Sequence, residues 1–201
     1  MSEAAAPNER ERLKADTSNR LVVTAFEMLR DAPDALFSHE AVAARAGMSA
    51  RTAYRHFPTK DDLVSAVWRH LRDSTGTKWP MREQDIDAYT RELFDQFARN
   101  DALTRAMVAA APKANISVHG SVEGRAAFRA ALAERCTGWP EAATEQLVAT
   151  CVAIYSAPFW LMLRDRGQLE QHAAVEAACS AIHAVLQFAS ASPSATTPPA
   201  T

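Results

Sequence analysis

Long apolar runs are missing from this 201-residue chain. No uninterrupted stretch approaches the roughly 18–20 residues that span a bilayer. Residues 1–16 mix charges with small side chains and carry no apolar core of the secretory kind. Neither a membrane anchor nor a leader is expected, and the sequence reads as a soluble, cytoplasmic protein. Cysteine is scarce as well: Cys136, Cys151 and Cys179 are scattered singly with no C-x-x-C pair. That argues against a disulfide framework and against a thiolate zinc site, so buried or half-buried free thiols on helices are expected. No P-loop and no G-x-G-x-x-G run occurs. Ser121 and Ser156 lack the G-x-S-x-G context of a nucleophile elbow. No two histidines stand four residues apart, His119, His172 and His183 included. Enzyme chemistry, a bound metal and a cofactor are therefore not expected, and an all-helical enzyme remains only a remote alternative.

Alternating β-branched patterns are absent too, while Ala, Leu, Arg and Glu dominate, so the chain is predicted to be all-α. Residues 1–16 and the low-complexity stretch 191–201 are expected to be disordered. Leu21, Ala25, Met28 and Leu29 recur at helical spacing in a first helix from about Thr17 to Arg30. Short helices are expected at about 39–46 and 49–57, and a longer one begins after Thr59, whose T-x-x-D spacing to Asp62 is that of a capping box. The stretch Gly76-Thr-Lys-Trp-Pro80 reads as a hinge between a domain at 17–75 and a second at 80–190. Five further helices are expected at about 84–99, 101–111, 118–136, 141–165 and 168–190, about nine in all. Pro158 lies inside the fourth of these and predicts a kink near Tyr155–Ala157.

The formal net charge is −2, with 22 Lys and Arg against 24 Asp and Glu, but the local balance is different. Between Leu36 and Lys60 stand the cations Arg45, Arg51, Arg55 and Lys60 and the single anion Glu40, with His39 and His56 besides. A basic face on a near-neutral chain suits contact with phosphates. The same stretch has the design of two helices crossing through a tight turn. Val42, Ala43 and Ala46 form a small apolar face that admits a close neighbour. Gly47 can adopt the left-handed conformation that ends a helix, Met48 can pack back as a staple, and Ser49 caps the second helix. That helix is too short to stand alone, so Phe57 is expected to anchor it. Its outer side offers Arg51, Thr52, Tyr54, Arg55 and His56, donors and aromatics suited to base edges and phosphates in a major groove that admits a helix. Lys60, at the start of the next helix, adds a cation beside a helix N-terminus, a combination that suits a phosphate.

Gly47-Met-Ser-Ala-Arg-Thr-Ala-Tyr-Arg-His-Phe-Pro-Thr-Lys60, with Ser38 and the Ala-rich helix before it, resembles the DNA-binding domain of the TetR family of bacterial regulators over about residues 17–75. Ala53 stands where that family usually has a larger apolar residue, and Arg51 where glycine or proline is frequent. The resemblance implies an N-terminal three-helix helix-turn-helix domain and a C-terminal helical ligand-binding and dimerisation domain. It implies that Ser38, Ser49, Thr52, Tyr54 and Lys60 hold phosphates of double-stranded DNA and fix register, while Arg51, with Ala50, Arg55 and His56 around it, faces the bases. It further implies a homodimer on a palindromic operator and a small-molecule effector.

In the second domain Phe94, Phe97, Met107, Phe128, Tyr155, Phe159 and Trp160 make an aromatic and methionine-rich interior. Core packing is one reading; an apolar ligand pocket, centred on Tyr155 and Trp160 beside Pro158, is the other. The helix at 168–190 is apolar almost all round, which predicts burial on more than one side. Paired with 141–165, it would form a four-helix dimer interface about a two-fold axis. The function expected is a DNA-binding transcriptional repressor released by a largely apolar ligand; the alternative is a constitutive or architectural DNA binder.

Overall fold

The computed structural model describes residues 8–33, 36–110 and 118–190; the predicted tail at 191–201 and the first seven residues of the arm lie outside them. Among the described residues there are ten α-helices and no strand: α1 (Glu9–Asp31), α2 (His39–Arg45), α3 (Ala50–His56), α4 (Lys60–Thr75), α5 (Ile86–Arg99), α6 (Asp101–Ala110), α7 (Val118–Ala131), α8 (Glu141–Ile154), α9 (Ala157–Leu161) and α10 (Gln171–Ser190). The chain divides into two compact units, residues 1–74 with 105–117 and residues 75–104 with 118–201.

Two expectations need correction. The first helix begins at Glu9, not near Thr17, so 9–16 are helical and not a disordered arm. A capping box starts it early: Asn8 Oδ1 accepts from the Glu11 amide at 3.0 Å, and the Glu11 carboxylate accepts from the Asn8 amide at 3.0 Å. Strong helix formers then carry the helix through, without apolar burial at 9–14. The second correction concerns 141–165. Pro158 does not merely kink one helix. Tyr155 and Ser156 leave the helical conformation, and Ser156, with extended backbone, accepts from the Phe159 amide to cap a new helix, α9. Proline is tolerated in a first turn because its missing N–H has no partner to lose there. The two segments are bent by 57°, and this break brings the count to ten helices where nine were expected. No single described helix is long and apolar enough to cross a membrane; only this bent pair reaches the length together, and Leu147, Val148, Cys151 and Trp160 on it are buried.

The first unit is a small-residue core. Leu21, Val22, Ala25 and Leu29 of α1 are buried, as are Val42, Ala43 and Ala46 of the α2 segment, Ala53 of α3 and Leu63, Val64 and Val67 of α4. In the second unit α10 packs on both α5 and α8, and α7 packs on α8. Arg91 fastens α5 to α10: Nε donates to Asp87 Oδ2 at 2.8 Å and the two terminal nitrogens reach the Glu176 carboxylate, Nη2 to Oε2 at 3.2 Å. Arg129 joins α7 to α8 through Glu141, at 2.6 Å, and Glu145. The three cysteines are free, Cys151 and Cys179 buried and Cys136 half-buried; burial pushes the Cys151 and Cys179 thiols up to about 12.

Candidate nucleic-acid interface

The turn between α2 and α3 has the left-handed glycine that the sequence called for. Gly47 has φ 66°, the Gly47 amide donates to Ala44 O at 3.1 Å and the Met48 amide to Ala43 O at 2.8 Å. A Cβ at Gly47 would in addition sit 3.4 Å from Arg20 Nη2. That guanidinium donates to Ala46 O at 2.5 Å and so ties α1 to the end of α2. Ser38 and Ser49 cap α2 and α3: Ser38 Oγ accepts from the Ala41 amide and Ser49 Oγ from the Thr52 amide, both at 3.2 Å. Ser49 and Thr52 also share a hydroxyl–hydroxyl bond of 2.9 Å.

On α3 the single buried residue is Ala53. Arg51, Tyr54 and Arg55 lie on the opposite, exposed side, while Ala50, Thr52 and His56 are half-buried at its flanks. The alanine that departs from the family's usual larger residue is thus the one that α3 buries, and α2, which packs on α3, buries the small residues Val42 and Ala43. Lys60 opens α4 with its Nζ 5.6 Å from the centroid of the buried Phe37 ring. Thr59 and Asp62 form the expected capping box there: the Thr59 amide donates to Asp62 Oδ2 at 3.0 Å and the Asp62 amide to Thr59 Oγ1 at 3.1 Å.

Four contributors escaped the sequence reading. His39, named only beside the cations of the basic stretch, is buried at 4% exposure. Its Nε2–H donates to Phe57 O at 2.7 Å, and its ring stacks on Tyr54 at 4.2 Å and 14°. One imidazole therefore fastens the start of α2 to the end of α3 and supports the exposed phenol. Glu40, the one anion of the basic stretch, accepts from the Tyr54 hydroxyl at 2.8 Å. The backbone amide of Glu40 and the hydroxyls of Tyr54 and Ser38 hold this carboxyl below its ordinary range, and the same bond to Glu40 raises the Tyr54 phenol. Lys14 of α1 lies close enough to His56 to help lower its pKa, after burial and Arg55. Arg20 is the fourth. No short-range pattern marks these pairs, because their partners stand 14 to 26 positions away or more.

The seven residues named for a pocket fare differently. Phe94, Phe97, Phe128, Tyr155 and Trp160 are buried and Phe159 is half-buried. Their rings meet each other: Phe94–Phe97 at 5.9 Å, Phe97–Trp160 at 5.8 Å and Phe128–Tyr155 at 5.3 Å between centroids. Met107 is fully buried as well and falls in the first unit. Trp79, read only as part of a hinge, lies 5.5 Å from the Tyr155 ring, and Gly124 makes room for it, since a Cβ there would come within 2.9 Å of the indole. The Tyr155 hydroxyl donates to Lys78 O at 2.9 Å. Among the described residues no group of three His, Cys, Asp or Glu could hold a metal ion.

A family model described as "Bacterial regulatory proteins, tetR family" matches residues 21–67. A TetR transcriptional regulator from Rhodococcus sp. RHA1 has a similar structure, with a TM-score of 0.57 and 23% identity over 86% of this chain and 98% of that one. A tetR-family transcriptional regulator from Streptomyces coelicolor matches with a TM-score of 0.50 and 20% identity, over 88% of this chain and 82% of the other. No curated protein matches the sequence. At these identities the two structures speak for the fold, and the family model speaks for the helix-turn-helix. Residues 21–67 therefore carry the N-terminal helix-turn-helix domain of the TetR family, a family of DNA-binding regulators of transcription.

Proposed function

We propose that this protein is a homodimeric repressor that acts in the bacterial cytoplasm on a palindromic operator. The observation that carries the reading is the exposed face of α3, where Arg51, Tyr54 and Arg55 stand side by side on a helix pinned by Gly47, Ser49 and His39. On this reading Ser38, Ser49, Thr52, Tyr54 and Lys60 touch phosphates, and Arg51, flanked by Ala50, Arg55 and His56, reads the bases. Arg51 is assigned a bidentate contact to guanine. Residues 17–75 act as the DNA-binding domain and 80–190 as the ligand-binding and dimerisation domain.

Selection of bound duplexes from a random pool, at stated salt, tests this reading. One palindromic site is expected to be enriched, with two chains bound to it. In the Arg51→Ala variant, discrimination at one base pair of each half-site should fall by about 1–3 kcal/mol, with other positions unchanged. Uniform weakening over all sequences would make Arg51 a phosphate contact, and no enrichment by the wild type would remove the operator.

Release by a largely apolar effector is the second element, with entry at the α8–α9 break beside Tyr155 and Trp160. The ring-to-ring packing of those residues favours the other reading, constitutive DNA binding. The dye 1-anilinonaphthalene-8-sulfonate separates the two. Saturable fluorescence that displaces the bound operator supports an effector site; no binding to the folded protein favours constitutive action.

A further inference from the structure

The Tyr54 hydroxyl has one proton, and in the free protein that proton is already placed on an anion of the chain itself, Glu40 Oε1 at 2.8 Å. A phosphate oxygen is only an acceptor. The same hydroxyl cannot donate fully to both, and two anions brought to one donor repel each other. We propose that Glu40 is an internal stand-in for a DNA phosphate: it occupies the Tyr54 hydroxyl in the free domain, must give it up when DNA binds, and thereby lowers affinity for duplexes of any sequence. The proposal rests on the DNA-binding reading above and on Tyr54 as a phosphate contact.

Several features of the site fit competition and not a structural tie. Both partners are exposed, Tyr54 at 44%, so the bond is not required to satisfy a buried group. The phenol is held independently of Glu40 by its stack on His39, whose Nε2 is engaged with Phe57 O. Tyr54 therefore keeps its place when the carboxylate leaves. The hydroxyl of Ser38, also assigned to a phosphate, is among the groups that stabilise the Glu40 anion. Two donors meant for DNA thus converge on one carboxylate. Glu40 is also the one acidic side chain between 36 and 60. The consequence is biochemical: phosphate contacts carry no sequence information, so weakening them suppresses binding to bulk DNA, while the base contacts of α3 are untouched.

The test uses the full-length protein as wild type, Glu40→Gln, Tyr54→Phe and the double variant, each titrated with a random-sequence duplex at low and high salt. Gln keeps an oxygen for the hydroxyl but removes the charge. Glu40→Gln is expected to bind about five-fold more tightly at low salt, because a neutral amide oxygen holds the Tyr54 hydroxyl less strongly than a carboxylate does, and the gain should fade at high salt. In the Tyr54→Phe background the gain should be clearly smaller, because no hydroxyl is left to compete for. An equal gain in both backgrounds would mean Glu40 acts as a bare charge, and would overturn the competition. Unchanged or weaker binding by Glu40→Gln, at an unchanged thermal midpoint, would overturn it as well. If the wild type binds no duplex at any salt, the DNA-binding reading itself falls, and that result is distinct from the others.

Discussion

Trp160→Ala is expected to lower the free energy of unfolding by about 3–5 kcal/mol, the range for removing a large aromatic from a packed core. Trp160 is 1% exposed, and its ring lies 5.8 Å from that of Phe97. Its indole N–H donates to Gln171 Oε1 at 3.0 Å, and the Gln171 amide donates onward to Phe94 O at 3.0 Å and Asp95 Oδ1 at 3.3 Å. Truncation would leave both a cavity and an amide oxygen without its donor, so the loss should lie toward the upper end. Urea unfolding with an unchanged slope checks the figure. The result also bears on function. A Trp that lined a roomy ligand site would have few atoms on one side, and its removal would cost less than about 2 kcal/mol. A loss that small would restore the pocket reading of these aromatics, whereas the full loss makes them core.

Phe188→Asp should convert the proposed dimer to monomer. Phe188 is 78% exposed on the outer side of α10. With Val185 and Ala184 it borders an open apolar groove whose other wall is Trp139, Ala143 and Leu147 at and beside α8. A second copy related by a two-fold axis would present the same groove and the same phenyl ring, each covering the other. Burying one Phe is worth about 1.5–3 kcal/mol, and the two-fold counts it twice. Losing both gives roughly a 10²- to 10⁴-fold weaker dimer, and the buried carboxylates add to that. Since the ring is exposed in the single chain, helicity should be unchanged. Sedimentation equilibrium reads the mass directly. A Phe188→Asp variant that stays dimeric at micromolar concentration would move the interface elsewhere, while a folded monomer with weakened palindrome binding would support both the interface and the two-site operator.

Some of this molecule was legible residue by residue. Gly47 and Ser49 specify a tight turn and a short capped helix, because glycine's backbone freedom and a serine's capping bond act within four positions. Thr59 and Asp62 announced α4 for the same reason. Pro158 marked its break, though whether a proline bends a helix or starts a new one depends on a cap, and Ser156 supplied it. The early start of α1 at Asn8 was written in an N-x-x-E box that a polar, apolar-poor stretch concealed.

Local patterns were thus enough for a helix-turn-helix with Arg51, Tyr54 and Arg55 outward. The meetings of side chains from different helices needed the packed molecule. Nothing short-range says that His39 turns inward to Phe57 O, that Glu40 takes the Tyr54 hydroxyl, or that Arg20 closes on Ala46 O. Nor could composition bring Trp79 to Tyr155 against Gly124. Periodicity tells which face of a helix is apolar. Which neighbour that face meets, and at what height, is set by how ridges of one helix seat in the grooves of another, and that depends on every side chain in the contact at once.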